Sequence, residues 1–541
     1  MAISQTGDEM KTAHVAEHEP DKKEIRLVIG ASSLGTIFEW YDFFIYGTLA
    51  ASGIIGSTFF PTGNQTVQML LAWAGFAVGF GFRPLGAILF GYLGDKLGRK
   101  YTFLVTITLM GVATAGVGLI PSAATIGIAA PLLLILLRIC QGLALGGEYG
   151  GAAIYVSEHA PVSKRGFYTS FIQASVSGGF VLSLIVVLLT KAAMSPDAFL
   201  EWGWRVPFLI SILLLAVSLW IRLMLSESPV FRAMRDEGEI SHNPFVESFT
   251  HPGNAKRIFV ALFGLSAGLT VIWYTAMFTG LSFLKGQMRV DGTTAELIIG
   301  VGALLGSMMF ILFGKLSDRV GRKMPVIIGY VMYLILLFPL YWLMGSAANP
   351  GLEEAAKRAP VVVAGNQCDY SPFAEVQNSE CGKMLAYLTG KGIPYQLEKA
   401  DRLSLSIGGK VVDSRALPAM DNALENAGYA AKPVVPSATG IATILFALIV
   451  LSALSGATYG PVAALLAEMF PARIRYSSMS IPYHIGTGYF GGFLPFIAAY
   501  IVAKTGNPYS GLWYSWGVVL MALIVAWWGL KGGPPTDYAD D

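Results

Sequence analysis

Glu39, Asp42 and Tyr46 stand three and four positions apart inside a run that is otherwise almost wholly apolar. On a helix that spacing puts all three on one face. Burial inclines a carboxyl toward protonation and a nearby cation inclines it toward ionisation, so an acid in such a setting can load and unload a proton. Arg138, Gln141, Leu145 and Glu148 share a face of another apolar run, but ten residues separate Arg138 from Glu148, roughly 15 Å along a helix axis. Their partners must come from other segments or from a bound molecule, and Asp42 with Arg138 is one pairing to consider. An ionisable group at the centre of a membrane helix costs about 2.5–3.5 kcal/mol, so each calls for a reason. Two reasons stand side by side for Asp42, Glu39 and Glu148: proton coupling, or a static ion pair that fixes helix packing.

A small organic anion would need a cation in its cavity. Arg138 and Arg83 supply planar guanidinium forks that match a carboxylate. Tyr46, Gln141, Trp273, Tyr483 and His484 complete the candidate binding set, with Tyr274 and Tyr459 as further aromatics. His484, the one histidine within an apolar run, carries a ring that titrates near neutrality. Aromatic residues also serve simply as packing in such runs. The polar stretch at about 348–437 has no metal-ligand or nucleophile pattern, neither Cys-x-x-Cys nor any His, and the chain has no Gly-x-x-x-x-Gly-Lys-Ser/Thr phosphate loop, which argues against an enzyme and an ATP-driven pump. No metal and no cofactor is expected; the proton would be the coupling ion.

The elements that hold these residues follow from composition. Of 541 residues, 54% are apolar and 13% charged, against roughly 25% charged in soluble domains, and mean hydropathy is +0.58. Runs of about 20 apolar residues, enough to cross a ~30 Å hydrocarbon layer as a helix, occur near 26–48, 67–92, 102–121, 130–155, 167–190, 204–225, 257–281, 296–316, 325–346, 438–462, 479–503 and 511–531. Backbone in lipid must bond to itself, and runs without strand alternation leave helices. The expected fold is all-α, with twelve transmembrane helices in two six-helix halves.

The halves are visible as a repeat. Gly91-Tyr-Leu-Gly-Asp-Lys-Leu-Gly-Arg-Lys100 returns 223 positions later as Gly314-Lys-Leu-Ser-Asp-Arg-Val-Gly-Arg-Lys323, and Glu158-x-x-Pro161-x-x-x-Arg165 returns 310 positions later as Glu468-x-x-Pro471-x-x-x-Arg475. The offsets differ by 87, which locates an insert of about that length in the second half. The expected organisation is a disordered cytoplasmic tail (1–24), a first half (25–225), a cytoplasmic linker (226–256), helices 7–9 (257–347), an extracytoplasmic insert (348–437), helices 10–12 (438–531) and a cytoplasmic tail (532–541). Lys and Arg crowd the loops after spans 2, 4, 8 and 10, which places both termini in the cytoplasm. The net charge of +2 gives no sign of nucleic-acid binding.

The paired Gly-x-x-x-Asp-x-x-Gly-Arg-Lys loops resemble the signature of the major facilitator superfamily, with Ser317 where the first copy has Gly94. Phe38-Glu-Trp-Tyr-Asp-Phe-Phe-Ile-Tyr-Gly47, Arg83-Pro-Leu-Gly86 and Arg138-Ile-Cys-Gln-Gly-Leu-Ala-Leu-Gly-Gly-Glu148 resemble its metabolite:proton symporter branch, which includes carriers of proline/betaine, α-ketoglutarate, citrate and shikimate. The likeness implies proton-coupled uptake of a small organic acid across the inner membrane by a multi-pass carrier, for which a monomer would suffice. A zwitterion or osmolyte is the alternative substrate. Asp95, Arg99, Asp318 and Arg322 would form a gating latch, or else serve topology and turn geometry alone. The insert lies outside the likeness. An extracytoplasmic location would allow a Cys368–Cys381 disulfide there, the other possibility being two free thiols; a role as sensor or anchored enzyme is the reading from a different class.

Overall fold

The computed structural model describes residues 22–97, 99–147, 149–224, 244–366, 368–374, 376–412, 417–429, 432–471 and 474–534. It is mostly helical. Among the described residues nine helices are long and apolar enough to cross a bilayer, or ten if Pro196–Gly203 and Arg205–Ile221, which meet at a 57° bend, form one broken span. In chain order the long helices are α1 (Lys22–Ala51), α2 (Gln65–Gly81), α3 (Arg83–Leu97), α4 (Arg99–Leu119), α5 (Ala129–Gly146), α6 (Arg165–Ala192) and α7 (Arg205–Met224). There follow α8 (Asn254–Gln287), α9 (Gly292–Val320), α10 (Lys323–Ala348), α11 (Ala438–Met469), α12 (Arg475–Thr505) and α13 (Leu512–Gly529).

The distribution of polarity is that of a protein dissolved in lipid. Leu132, Leu189, Leu213, Met308, Ile335 and Trp528 face outward, while Asp42, Arg83, Arg138, Gln141, Glu296 and His484 are buried. Apolar side chains cost nothing against acyl tails, and charges gain partners only inside the bundle.

Helices close on one another where glycines allow it. A Cβ at Gly142 of α5 would lie 2.0 Å from the carbonyl oxygen of Gly79, one at Gly86 would lie 2.0 Å from that of Leu143, and one at Gly146 would lie 2.1 Å from that of Arg83. The contact of α5 with α2 and α3 is thus backbone against backbone. Gly142→Ala is expected to cost about 1–3 kcal/mol through forced separation and to lower the melting temperature of the detergent-solubilised protein. An unchanged melting temperature would mean that the seam parts freely.

Between α10 and α11 lies a small α/β unit. Strands β1 (Val361–Ala364), β2 (Gln396–Glu398), β3 (Ser404–Ile407) and β4 (Lys410–Val412) form one sheet in the order β2-β1-β3-β4. The β1/β2 pair is parallel and the others are antiparallel. Its core, including Leu352, Val363, Leu385, Leu388 and Leu405, is separate from that of the helical bundle. Cys368 is bonded to Cys381 at a Cα–Cα distance of 4.9 Å. The unit is fastened to the bundle: the Asp291 amide donates to the Val434 carbonyl at 2.8 Å and the Val434 amide to that of Arg289 at 2.8 Å. Asp291 also caps α9, accepting from the Thr294 amide at 2.9 Å, and that bond holds its carboxyl below the usual range.

Candidate functional site

Two groups of helices meet at a small cavity. Trp40 of α1, Arg83 of α3 and Gln173 and Val176 of α6 line it from one side; Thr270, Trp273 and Tyr274 of α8, Phe310 of α9, Tyr459 of α11 and Thr487 of α12 line it from the other. Its free volume of about 10 Å³ is room for about one water, so the helices are closed around it. The Arg83 guanidinium lies 5.1 Å from the Trp40 ring and 5.0 Å from that of Phe80, within the range of cation–π attraction. Across the boundary between the two groups, Trp273 donates from Nε1 to Ser177 Oγ at 3.1 Å, and its ring stacks on Phe44 at 5.1 Å.

The backbone of this region is unusual. α8 carries π-helical turns at Val260–Ser266, Thr275–Thr279 and Phe283–Gln287, and α12 carries one at Gly486–Gly492. Such insertions re-aim side chains and recur at functional sites. Thr270, Trp273 and Tyr274 lie between two of the α8 turns, and Thr487 lies within the α12 turn. Gln173, Thr270 and Thr487 escaped the sequence reasoning, because a small polar residue in an apolar run carries no signal until its neighbours are known.

Arg83 and Trp273 thus reach the cavity, whereas Arg138, Gln141 and Tyr46 form a different cluster. Arg138 Nη1 donates to Gln141 Oε1 at 2.7 Å, and Gln141 Nε2 donates to Thr114 Oγ1 at 2.7 Å. The carbonyls of Gly75 and Phe76 accept from Arg138 at 3.4 Å each, and its guanidinium sits 4.4 Å from both the Phe43 and Tyr46 rings. Tyr46 in turn donates to the Ala72 carbonyl at 2.9 Å. The considered ion pair between Asp42 and Arg138 does not form: Arg138 is met by neutral acceptors and aromatic faces. Arg138→Lys is therefore expected to lower the melting temperature while leaving apparent substrate affinity within about threefold, since an ammonium cannot reproduce the fork among these carbonyls. Initial uptake rates and thermal unfolding of the same preparation check it.

Tyr483 shares a hydrogen bond of 2.7 Å with the cavity residue Tyr459, and His484 is fully buried beside it, ring centroids 5.5 Å apart. Asp42 and Glu39 are both buried on α1, and the Asp42 Oδ1 atom accepts no hydrogen bond. Glu148 lies outside the described residues, as do the side chains of Asp95 and Arg99.

Asp318 and Arg322 stand at the end of α9 in a network that ties the two halves together. The Asp318 carboxylate accepts from the Gly166 and Phe167 amides, each at 2.8 Å, at the first turn of α6, where the helix dipole favours an anion. Arg322 donates from Nη1 to Asp318 at 2.6 Å and grips Glu468 with two bonds of 3.1 and 2.8 Å. The repeated Glu-x-x-Pro-x-x-x-Arg motifs are exchanged: Arg165 lies 3.7 Å from Glu468, and Arg475 lies 3.8 Å from Glu158.

Comparison with known proteins follows the same lines. A sequence model described as "Sugar (and other) transporter" matches residues 27–252. A proline/betaine transporter of Salmonella typhimurium is 39% identical over 60% of this chain and 66% of its own length, so the chain spans just under two thirds of that relative. The alpha-ketoglutarate permease of Escherichia coli is 33% identical over 61% of this chain and 74% of its own. In structure, a partially occluded inward-open form of the xylose transporter XylE from E. coli aligns with a TM-score of 0.59 at 15% identity, covering 94% of this chain and 98% of that one.

Proposed function

The chain belongs to the major facilitator superfamily, in its metabolite:proton symporter family, and from that premise we propose that it is a secondary carrier that takes up a small organic acid together with protons by alternating access. The observation that carries the substrate class is Arg83, a buried guanidinium in the wall of a cavity between the two groups of helices. A fork of that kind suits a carboxylate. The aromatic lining favours a second reading, in which the carboxylate of a zwitterion meets Arg83 and its cationic nitrogen meets the faces of Trp40, Trp273 or Tyr274; the proline/betaine relative supports it.

Twelve spans follow if α1 and α4 also cross the bilayer beside the other ten, α2 running on into α3 as the single span Gln65–Phe90 and α7 belonging to the bent one. α1 is long enough at 30 residues and carries Glu39 and Asp42 inside, and α4 contains the apolar stretch Leu104–Leu119. Parallel six-helix halves, 25–225 and 257–347 with 438–531, would rock about the central cavity. The Lys- and Arg-rich loops support cytoplasmic placement of both termini and of the 226–256 linker, and an extracytoplasmic position for the unit at 348–437. Asp42, Glu39 and Glu148 are the proton-carrying candidates, and the Asp318–Arg322–Glu468 network is a latch that breaks once per cycle; Asp95 and Arg99 are assigned to the first half's copy by repeat position.

The decisive experiment is uptake into proteoliposomes under an imposed pH gradient, across mono-, di- and tricarboxylates with proline and betaine. Accumulation of a carboxylate alone supports the first reading. Accumulation of proline or betaine alone moves the assignment to the second, and transport indifferent to the gradient removes proton coupling.

A further inference from the structure

The helix α9 carries a second ionic cluster, at its opposite end from Asp318. Glu296, in its second turn, is fully buried, about 33 Å along the axis from Asp318. Its Oε1 atom accepts from Ser52 Oγ at 3.0 Å, from Lys191 Nζ at 2.8 Å and from Lys285 Nζ at 2.9 Å, while Oε2 accepts from Lys191 at 2.8 Å. Lys285 also donates to Ser52 at 3.0 Å. Ser52 follows α1 and Lys191 ends α6, both in the first half; Lys285 ends α8 and Glu296 begins α9, both in the second.

The helices α6 and α9 run antiparallel and are pinned at both ends: the Gly166 and Phe167 amides at the start of α6 hold Asp318 at the end of α9, and Lys191 at the end of α6 holds Glu296 near the start of α9. With both ends tied, the cavity between them is shut, in keeping with its small volume. Alternating access requires each end to part in turn, so a clasp across the halves at either end is a barrier to that motion. From this geometry, and resting on the alternating-access function proposed above, we infer that Glu296 with Lys191 and Lys285 is the gate at the end of the carrier opposite the Asp318–Arg322 latch. The residues are gating residues, distant from the cavity lining.

The α/β unit is placed to act on this gate. The loop joining Lys285 to Glu296 is the one it grips: Val434 pairs with Arg289 and Asp291 through the backbone, Asn349 Nδ2 donates to the Met288 carbonyl at 3.0 Å, and Arg289 donates to the Lys391 carbonyl. The unit thereby braces the segment whose movement would separate Lys285 from Glu296.

The test uses the full chain with Cys140→Ser. Lys191→Cys and Glu296→Cys are introduced together and joined with a bifunctional thiosulfonate, which dithiothreitol reverses. Joining the two is expected to cut uptake by at least about tenfold, with recovery on reduction to the level of the unjoined double variant given the same dithiothreitol treatment, which controls for reduction of the Cys368–Cys381 bond, while the Cys140→Ser parent does not respond to the thiosulfonate. Undiminished uptake by the joined form overturns the gate. Because the doubly substituted carrier has itself lost the clasp, a second measurement needs no transport. Thr48, one turn inward from Ser52 and bonded to Ser183 at 2.9 Å, is replaced by Cys, and maleimide labelling is followed in nanodiscs. Glu296→Gln is expected to raise the labelling rate about tenfold; an unchanged rate overturns the gate. A parent that transports no substrate counts against the carrier function instead, and the labelling comparison still decides the gate.

Discussion

Under an inward proton gradient of one pH unit, Asp42→Asn is expected to carry substrate only to equal concentrations on the two sides of the membrane. One coupled proton per substrate supplies about 1.4 kcal/mol per pH unit, enough for about tenfold accumulation by the parent. The asparagine is close to isosteric, so helix packing should survive, but it cannot carry a proton. Asp42 is the candidate because it is buried on α1 with an oxygen that accepts no hydrogen bond, a position where a permanent charge is costly and a transferable one is useful. Exchange of labelled for unlabelled substrate needs no net proton movement and should persist. If Asp42→Asn still concentrates substrate, the coupling carboxyl is Glu39 or Glu148; if an uncoupler does not affect the parent, no carboxyl has that role.

Arg83→Lys is expected to lower kcat/KM by about 30-fold or more, corresponding to a loss of about 2 kcal/mol, the lower end for a buried charge contact that is broken. The guanidinium of Arg83 lies 5.1 Å from the Trp40 ring and 5.0 Å from the Phe80 ring in the cavity wall, whereas an ammonium at that place is a hydrated point charge without a fork. Two readouts separate binding from packing. The melting temperature of the ligand-free variant should move little, and the additional shift produced by substrate should vanish. An apparent KM equal to that of the parent would place recognition on the aromatic walls and so favour a zwitterion held by its cationic end.

Much of the architecture could be read directly from the chain. Apolar run length dictates helices, since no other backbone satisfies itself in lipid, and the duplicated loops reveal two related halves and their family. The α/β unit was visible only as a polar stretch that disturbed the repeat. Its sheet depends on pairing Val361–Ala364 with residues 34 to 46 positions away, and local pattern does not contain such partners.

The charged residues show where sequence stops. Arg83 and Arg138 look alike as cations in apolar runs, and helical spacing tells only which neighbours share their own face. Packing of α5 against α2 and α3 turned Arg138 toward Gln141 and two carbonyls, and put Arg83 at the cavity. Likewise the repeated Glu and Arg of the two motifs are plain in the sequence, but their exchange across the halves is decided by the end of α11 and the start of α12 meeting the segment that leads into α6. Glu296 has the least distinctive sequence of all, one acid at the head of an apolar run. Periodicity along one helix determines what can face the same way; which helices then touch, and so which charges are paired, depends on contacts between residues hundreds of positions apart, and those exist only once the bundle has closed.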